Sequence, residues 1–331
     1  MAVIAVMSAK GSPGVTTTCL AMTLVWPRPV MLVEADPAGG DILAGYLRGQ
    51  LSMDRGLVGA ALAARHNRLV DEFNVHLLDL AKPNSPVSRV LLPGLADPAQ
   101  AAVVAPLWDA LAVHFTRLAH GSGDSDIIVD CGRLSSPYPP LPVLAAADVV
   151  LLVVRATLRS ASTAKPAVDA ARIGLGTSAD ERLGLIVIDG GEYRGAELGK
   201  ALQVPIVATM PWRPTEAAAL SDGVGRVSDS SALMRAARSV ERPIRARISD
   251  RPDAAAQAVP PEPVVSRTGA GASSPSGPSG PVGRPGPPAS PQPALPAGHG
   301  SPKSGSAATE PPLARPRSGA PVESVPTGAA R

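Results

Sequence analysis

The sequence predicts an α/β fold: a doubly wound, mostly parallel sheet of about seven strands in a three-layer sandwich, followed by a disordered C-terminal tail. Three observations carry this. Short apolar runs alternate with longer helix-period segments, the pattern of βαβ units around a sheet buried on both faces. A glycine-containing turn directly follows the first apolar run. Composition then changes abruptly near residue 250.

Taken in order, Val3–Met7 reads as the first strand, Thr16–Val25 as the helix after it, and Val30–Glu34 as the second strand. Helices are expected at Asp41–Leu47 and Leu57–His66. Val87–Leu92 is a further strand, ended by Pro93-Gly94. Pro98–Leu118 carries a continuous helical period. Ile127–Asp130, Val149–Val154, Leu185–Ile188 and Ile206–Met210 complete the strands, with helices at Ala161–Arg172, Glu197–Leu202, Thr215–Ser221 and Ser231–Val240. Right-handed crossovers between such strands give the doubly wound arrangement.

The 331 residues divide into a domain over 1–250 and a tail over 251–331. All aromatic residues precede position 213, and 19 of the 37 prolines follow position 250. Without aromatics, and with few Leu or Ile, the tail cannot bury enough apolar surface to offset its ordering entropy. It reads as a polyproline-prone tether, a spacer able to recruit a protein partner. The net charge of +3 resides there, because Lys+Arg and Asp+Glu balance up to residue 250. The basic isoelectric point therefore does not mark a nucleic-acid-binding fold.

Cys19 falls in a helix and Cys131 just after a strand, so no disulfide framework is expected. The first residues lack the basic region of a secretory signal, and no apolar run is long enough to span a bilayer. A cytoplasmic protein is expected. His66, His76, His114, His120 and His299 show no metal-ligand spacing.

The segment AKGSPGVTTT lies between a strand and a helix, which is the context of a phosphate loop. Such a loop turns successive backbone N–H groups toward phosphate beside a helix N-terminus. Gly11 and Gly14 supply the backbone angles, and Thr16 is placed to put its hydroxyl on Mg²⁺. Against the template G-x-x-x-x-G-K-[ST], Ala9 replaces the first glycine and Val15 the lysine. A plain Gly/Pro turn before a helix is the alternative. Glu34 and Asp36 stand where the second strand ends, at the edge where open α/β sheets bind ligands. Glu34 also reads as a solvated strand-end charge. Asp130 ends the strand DIIVD, the position of a carboxylate that holds Mg²⁺, or of a simple loop or capping Asp.

The ordered motifs KGSPGVTTT, EADPAGGD and DIIVDCGR resemble the ParA/MinD family of deviant-Walker P-loop ATPases, over roughly residues 1–242. The late segment VPIVATMPWRPTEAAALSDG is similar to that family's final strand and the turn near the adenine. The resemblance implies an ATP- and Mg²⁺-binding protein that forms a homodimer around nucleotide, in positioning work such as chromosome partitioning. By matched position it implies that Lys10 reaches the partner's phosphates and that Asp36 orients the attacking water. Gly11, Ser12, Pro13, Gly14, Val15, Thr16 and Thr17 would hold phosphate, Thr16 and Asp130 the metal, and Pro211 and Arg213 the base. Cys131–Leu134 matches switch II. Val15 removes the lysine that meets the β- and γ-phosphates, which implies weak affinity and slow or lost hydrolysis. Lys10, or Arg133, is available to supply part of the missing charge. Imperfect loops also occur in the TadZ/CpaE-like localisation proteins, so a non-catalytic scaffold for a secretion, pilus or division assembly is the second reading.

Arg235, Arg238, Arg242, Arg245 and Arg247 recur near the end of the domain beside an apolar stripe. This is either a surface for DNA backbone or anionic membrane, or a packed terminal helix with a solvated basic face, interrupted at Pro243. Ser135 and Ser136 lack a partnering His and are not expected to act as nucleophiles.

Overall fold

A computed structural model describes residues 1–11, 13–49, 55–121 and 124–250. The expected tail, 251–331, and Ser12 of the phosphate loop lie outside the described residues. Strands β1 (Val3–Ser8), β2 (Val30–Glu34), β3 (Leu78–Asp79), β4 (Arg89–Leu92), β5 (Asp126–Arg133), β6 (Val149–Arg155), β7 (Leu183–Ile188) and β8 (Ile206–Met210) form one sheet. Its order is β3-β4-β2-β5-β1-β6-β7-β8. Every pairing is parallel except β3 with β4. The expected mostly parallel, doubly wound sheet is therefore present. β3 was not foreseen, because a two-residue antiparallel edge strand is too short to show a period.

The central strands are buried on both faces, as their unbroken apolar runs require. Val3, Ala5 and Met7 face one layer, and Ile4 and Val6 face the other. The first layer holds α2 (Leu57–Arg65), α3 (Leu69–Glu72), α4 (Ala101–Val104), α5 (Trp108–His120), α6 (Leu141–Ala146), α7 (Leu158–Leu175), α8 (Ala179–Arg182) and α9 (Gly195–Leu202). The second holds α1 (Val15–Val25), α10 (Pro214–Ser221), α11 (Ala232–Ser239) and α12 (Glu241–Ser249). None of the described helices is long and apolar enough to cross a membrane.

Two expected helices differ. Residues 41–49 form overlapping turns, not a helix: Gly45 N–H donates to Asp41 O and Leu47 N–H to Ile42 O. Glycines at 39, 40, 45 and 49 and the left-handed Arg48 (φ 54°) work against helix propagation. The continuous helix expected over Pro98–Leu118 is broken into α4, a 3₁₀ turn at Ala105–Leu107, and α5. Pro106 accounts for the break, since it lacks an N–H and crowds the preceding turn. Pro243, by contrast, sits in the first turn of α12, where proline is tolerated, so the chain continues as a separate helix.

Buried carboxylates tie the end of the sheet away from the phosphate loop: Asp148 accepts from Val3 N (2.8 Å), and Asp126 fastens α12. Asp126, fully buried, accepts from Ala2 N (3.0 Å), Trp26 Nε1 (2.8 Å) and Arg28 Nε (3.2 Å), and it pairs with Arg245 of α12. Arg28 also pairs with Glu241 at 2.6 Å. Burial alone would raise the Asp126 pKa. Hydrogen bonds from Arg245 and Trp26, with the arginine charges, outweigh it and hold the group below its ordinary value. Asp126→Ala would leave two arginines and a buried indole N–H without their acceptor. The expected loss is about 3 kcal/mol of unfolding free energy, read by urea denaturation; a loss below about 1 kcal/mol would show that the cluster does not anchor α12.

Candidate functional site

At the C-terminal end of the central strands, β1 ends at Ser8, followed by Ala9, Lys10 and Gly11, and Pro13 and Gly14 lead into α1. Gly11 (φ 79°) and Gly14 (φ 106°) occupy the left-handed region, and a Cβ at either would meet open space. These glycines are therefore required by backbone conformation, not by crowding. Gly14 caps α1 without a side-chain bond, and no acidic residue lies in the first turn. The first N–H groups of α1 are left to an anionic ligand. Val15 opens the helix, is 6 % exposed and belongs to the apolar core.

Two carboxyl groups converge on this turn. Asp130 on β5 is 1 % exposed, accepts from Gly132 N (2.9 Å) and is hydrogen-bonded by the Thr16 side chain. Burial, opposed by those two bonds and reinforced by Asp36 and Asp41, pushes its pKa up to about 6. Asp36 accepts from Ala38 N at 2.8 Å and lies directly on Gly132. A Cβ at Gly132 (φ 61°) would fall 2.0 Å from Asp36 Cγ, so only glycine permits this approach. Burial raises the Asp36 pKa, partly countered by the Ala38 hydrogen bond and by Arg133.

Glu34 is not a solvated strand-end charge. It is 2 % exposed and accepts from Asp41 N (2.9 Å), Ile42 N (3.0 Å) and Gly94 N (3.1 Å). It thereby straps the turn segment after β2 to the end of β4. Burial pushes its pKa up to about 7 despite these bonds, with the Asp130 charge adding to the shift. The sequence signal for this role was present in the small residues of PAGGD and PG, which let backbone close on a carboxyl group.

Two clefts flank the phosphate loop. The first, about 400 Å³, is lined by Gly11, by the segment Pro13 to Thr17, by Asp36, Asp41 and Arg133, and by Ser221 of α10. The second, about 870 Å³, is lined by Lys10, Arg155, Arg159 and Glu192 and by the first turn of α7. The structure thus brings Thr16, Asp36 and Asp130 together and sets Lys10 on the other side of the loop. Pro211 and Arg213 line neither cleft. Between them Trp212 stacks under Arg155, whose Cζ lies 3.9 Å from the ring centroid. Asp41, Gly132 and Ser221 were not singled out from sequence.

The arginine stripe divides: Arg245 and Arg247 are part-buried, Arg235, Arg238 and Arg242 are exposed, and the apolar residues beside them are internal. Leu233, Met234, Ala237, Val240 and Ile244 are buried. Arg245 holds Asp126, and Arg247 donates to the carbonyls of Asp180 and Leu183. Arg235 and Arg238 bond the carbonyls of Ser230 and Asp229. Arg242 is exposed and has no side-chain hydrogen bond or ion pair among the described residues.

No protein-family model matches the chain, and no curated protein matches it. Solved structures do. A ParA family ATPase from Chlorobium tepidum aligns with a TM-score of 0.55 at 18 % identity, covering 73 % of this chain and 97 % of that one. The septum site-determining protein MinD of Pyrococcus horikoshii, complexed with Mg-ADP, aligns at 0.52 and 18 %, covering 72 % and 93 %. A Cyanothece McdA variant in complex with ATP aligns at 0.54 and 17 %, covering 74 % and 96 %. The chain has the fold of the MinD/ParA-type ATPases.

Glu34 and Asp130 give the folded state a pH signature. In the unfolded chain they ionise near 4.5 and 3.8, whereas in the fold they keep their protons to about 7 and about 6. The folded state then binds more protons across this window, so stability rises as pH falls from about 7 toward 4.5. Asp126, held below 3.8, stabilises the fold throughout this window and loses that contribution only at lower pH. The ligand-free protein should melt several degrees higher at pH 5 than at pH 7.5, and Glu34→Gln should flatten the trend. Burial lowers the His76 and His114 pKa values and opposes the trend below 6.5, so the Glu34→Gln difference is the decisive reading: an unchanged trend would contradict the burial of Glu34.

Proposed function

We propose that the chain is an ATP·Mg²⁺-binding positioning factor that dimerises on nucleotide and hydrolyses it slowly or not at all. The carrying observation is the convergence of the uncapped phosphate loop, the Thr16–Asp130 pair and Asp36 on one cleft. A hydroxyl and a carboxylate form a hard oxygen donor set suited to Mg²⁺. Among the described residues no group of three or more His, Cys, Asp or Glu is placed to hold a metal by itself. The ion would therefore share its coordination with phosphate oxygens, and when bound it neutralises charge that develops on them.

The chain's own groups have separable tasks. Backbone N–H groups of the loop and of α1 bind phosphate, and Thr16 and Asp130 orient the metal complex. Asp36, fixed by Ala38 N–H and seated on Gly132, holds a water at the end of β2. Lys10 faces the side on which a second copy would dock. Similarity to structures of proteins bound to Mg-ADP and ATP supports the nucleotide assignment. Val15 supports slow turnover, because a buried aliphatic side chain cannot stabilise the transferred phosphoryl group. The same observation favours, as the second reading, a scaffold that uses nucleotide only as a structural ligand. We assign residues 1–250 to the nucleotide-binding unit and 251–331 to a tether, in a cytoplasmic protein. Cargo contacts would run through the tether; a DNA or membrane contact would have to rest on Arg242 and its exposed surroundings.

Titration calorimetry with ATP and Mg²⁺, paired with light scattering, tests the proposal. The expected result is weak binding, a shift from monomer to dimer, and loss of the dimer in Lys10→Ala. Saturating nucleotide without heat and without dimer would overturn it. Val15→Lys should tighten binding at least tenfold by restoring one charge-assisted phosphate contact. Unchanged affinity and turnover would show that Val15 does not stand in the lysine position.

A further inference from the structure

The phosphate-loop cleft has an unusual charge balance. Two carboxylates, Asp36 and Asp41, line it, and Asp130 and Glu34 are buried behind them. Val15 contributes no charge, and Lys10 faces the other cleft. Among the described residues lining this cleft, Arg133 is the sole cation.

Backbone geometry aims Arg133 there. Along β1 and β5, Val6 pairs with Asp130 but Ser8 pairs with Arg133, so β5 carries one extra residue between these points. Such a bulge bends its strand and redirects the side chains that follow. Gly132, within the bulge, has φ 61° and donates to Asp130 Oδ1, and Ser8 Oγ donates to Gly132 O at 3.4 Å. Leu134 N–H then donates to Ser8 O, and Ser136 N–H to Arg133 O. The backbone on both sides of Arg133 is thus pinned.

The side chain itself is uncommitted. Arg133 is partly buried, yet among the described residues it donates no side-chain hydrogen bond and closes no ion pair within 4.0 Å. Its recorded interaction is the longer-range charge of Asp36. The other arginines at the domain's far end behave differently, since Arg28, Arg245 and Arg247 all bond carboxylates or carbonyls. A partly desolvated guanidinium without a side-chain partner among the described residues, at the rim of a phosphate loop, can meet two phosphate oxygens with its paired N–H donors.

We propose that Arg133 is the cation that binds the ligand's phosphate in this cleft, taking from the β5 side the task that the loop leaves undone at Val15. This rests on the nucleotide reading above and specifies its chemistry. With one cation against two lining carboxylates, the phosphate enters as its divalent-metal complex, and Arg133 meets the oxygens the metal leaves free.

Calorimetry of the full chain with Mg·ATP and with Mg·tripolyphosphate, and with each after EDTA, tests this. Arg133→Ala and Arg133→Gln should weaken both magnesium complexes about tenfold to a hundredfold, the range of one charge-assisted bond. Arg133→Lys should recover part of the loss. The exposed Lys165→Ala serves as a control for surface charge, and unchanged Tm values show that the variants fold. EDTA should abolish binding of either phosphate. If the wild type binds and both neutral variants match it within twofold, the assignment of Arg133 is overturned. It is equally overturned if only ATP, and not tripolyphosphate, is affected, because Arg133 would then act away from phosphate. A wild type that binds neither complex would remove the nucleotide reading, and the Arg133 assignment with it.

Discussion

Containment of carboxyl charge at the C-terminal ends of β2 and β5 is the constraint on which the rest of the site depends. Glu34 and Asp130 are register partners on adjacent strands, both buried, and each would be costly to ionise without compensation. Glu34 is compensated by three backbone N–H groups, which fixes the segment after β2. Asp130 is compensated by Thr16 and Gly132, which links β5 to the first turn of α1. Asp36 gains its place because Gly132 offers no side chain to resist it. The phosphate loop, the turn after β2 and the bulge in β5 are thus positioned by the same buried acids.

That arrangement explains how a loop without a lysine keeps its shape. Val15 packs into the core beneath the loop, so the position serves α1 packing and not ligand charge. The loop then divides two surfaces of different character. One side is rich in carboxylate and admits an anion only with a metal ion. The other side gathers Lys10, Arg155 and Arg159, with only Glu192 opposing among the charged residues named there. Stacking on Trp212 fixes the Arg155 guanidinium and leaves the ring 42 % exposed. The phosphate loop thus separates a carboxylate-lined cleft from a cation-lined one.

The strands and the carboxylate positions were legible because they depend on local pattern. Apolar runs of parallel strands need no knowledge of neighbours, and a carboxylate directly after such a run is a strong positional signal. The errors arose where tertiary contacts decide. Residues 41–47 have helix-compatible spacing, but the strap to Glu34 and the packing of Gly45 on Ser221 O select turns instead. The Glu34 role needed the proximity of Gly94, sixty residues on. The arginine stripe left a binding surface and a packed terminal helix both open. Only the fold reveals that Asp126 and the carbonyls near α8 lie beneath it.

The two ends of the sheet solve opposite electrostatic problems. At the N-terminal end of β5, Asp126 is ionised because arginines surround it, and these pairs fasten α12 onto the domain. At the C-terminal end, the buried acids lack such partners and are held by backbone and hydroxyl donors, with their pKa values raised. Cations that anchor α12 are therefore unavailable to the phosphate cleft, and among the described residues lining it the one cation is Arg133. A metal ion entering with phosphate would lower the acids' affinity for protons and draw Arg133 away from Asp36. At this end a bound cation would offset carboxyl charge that backbone and hydroxyl donors now hold, whereas at the arginine-stapled end that charge is already met.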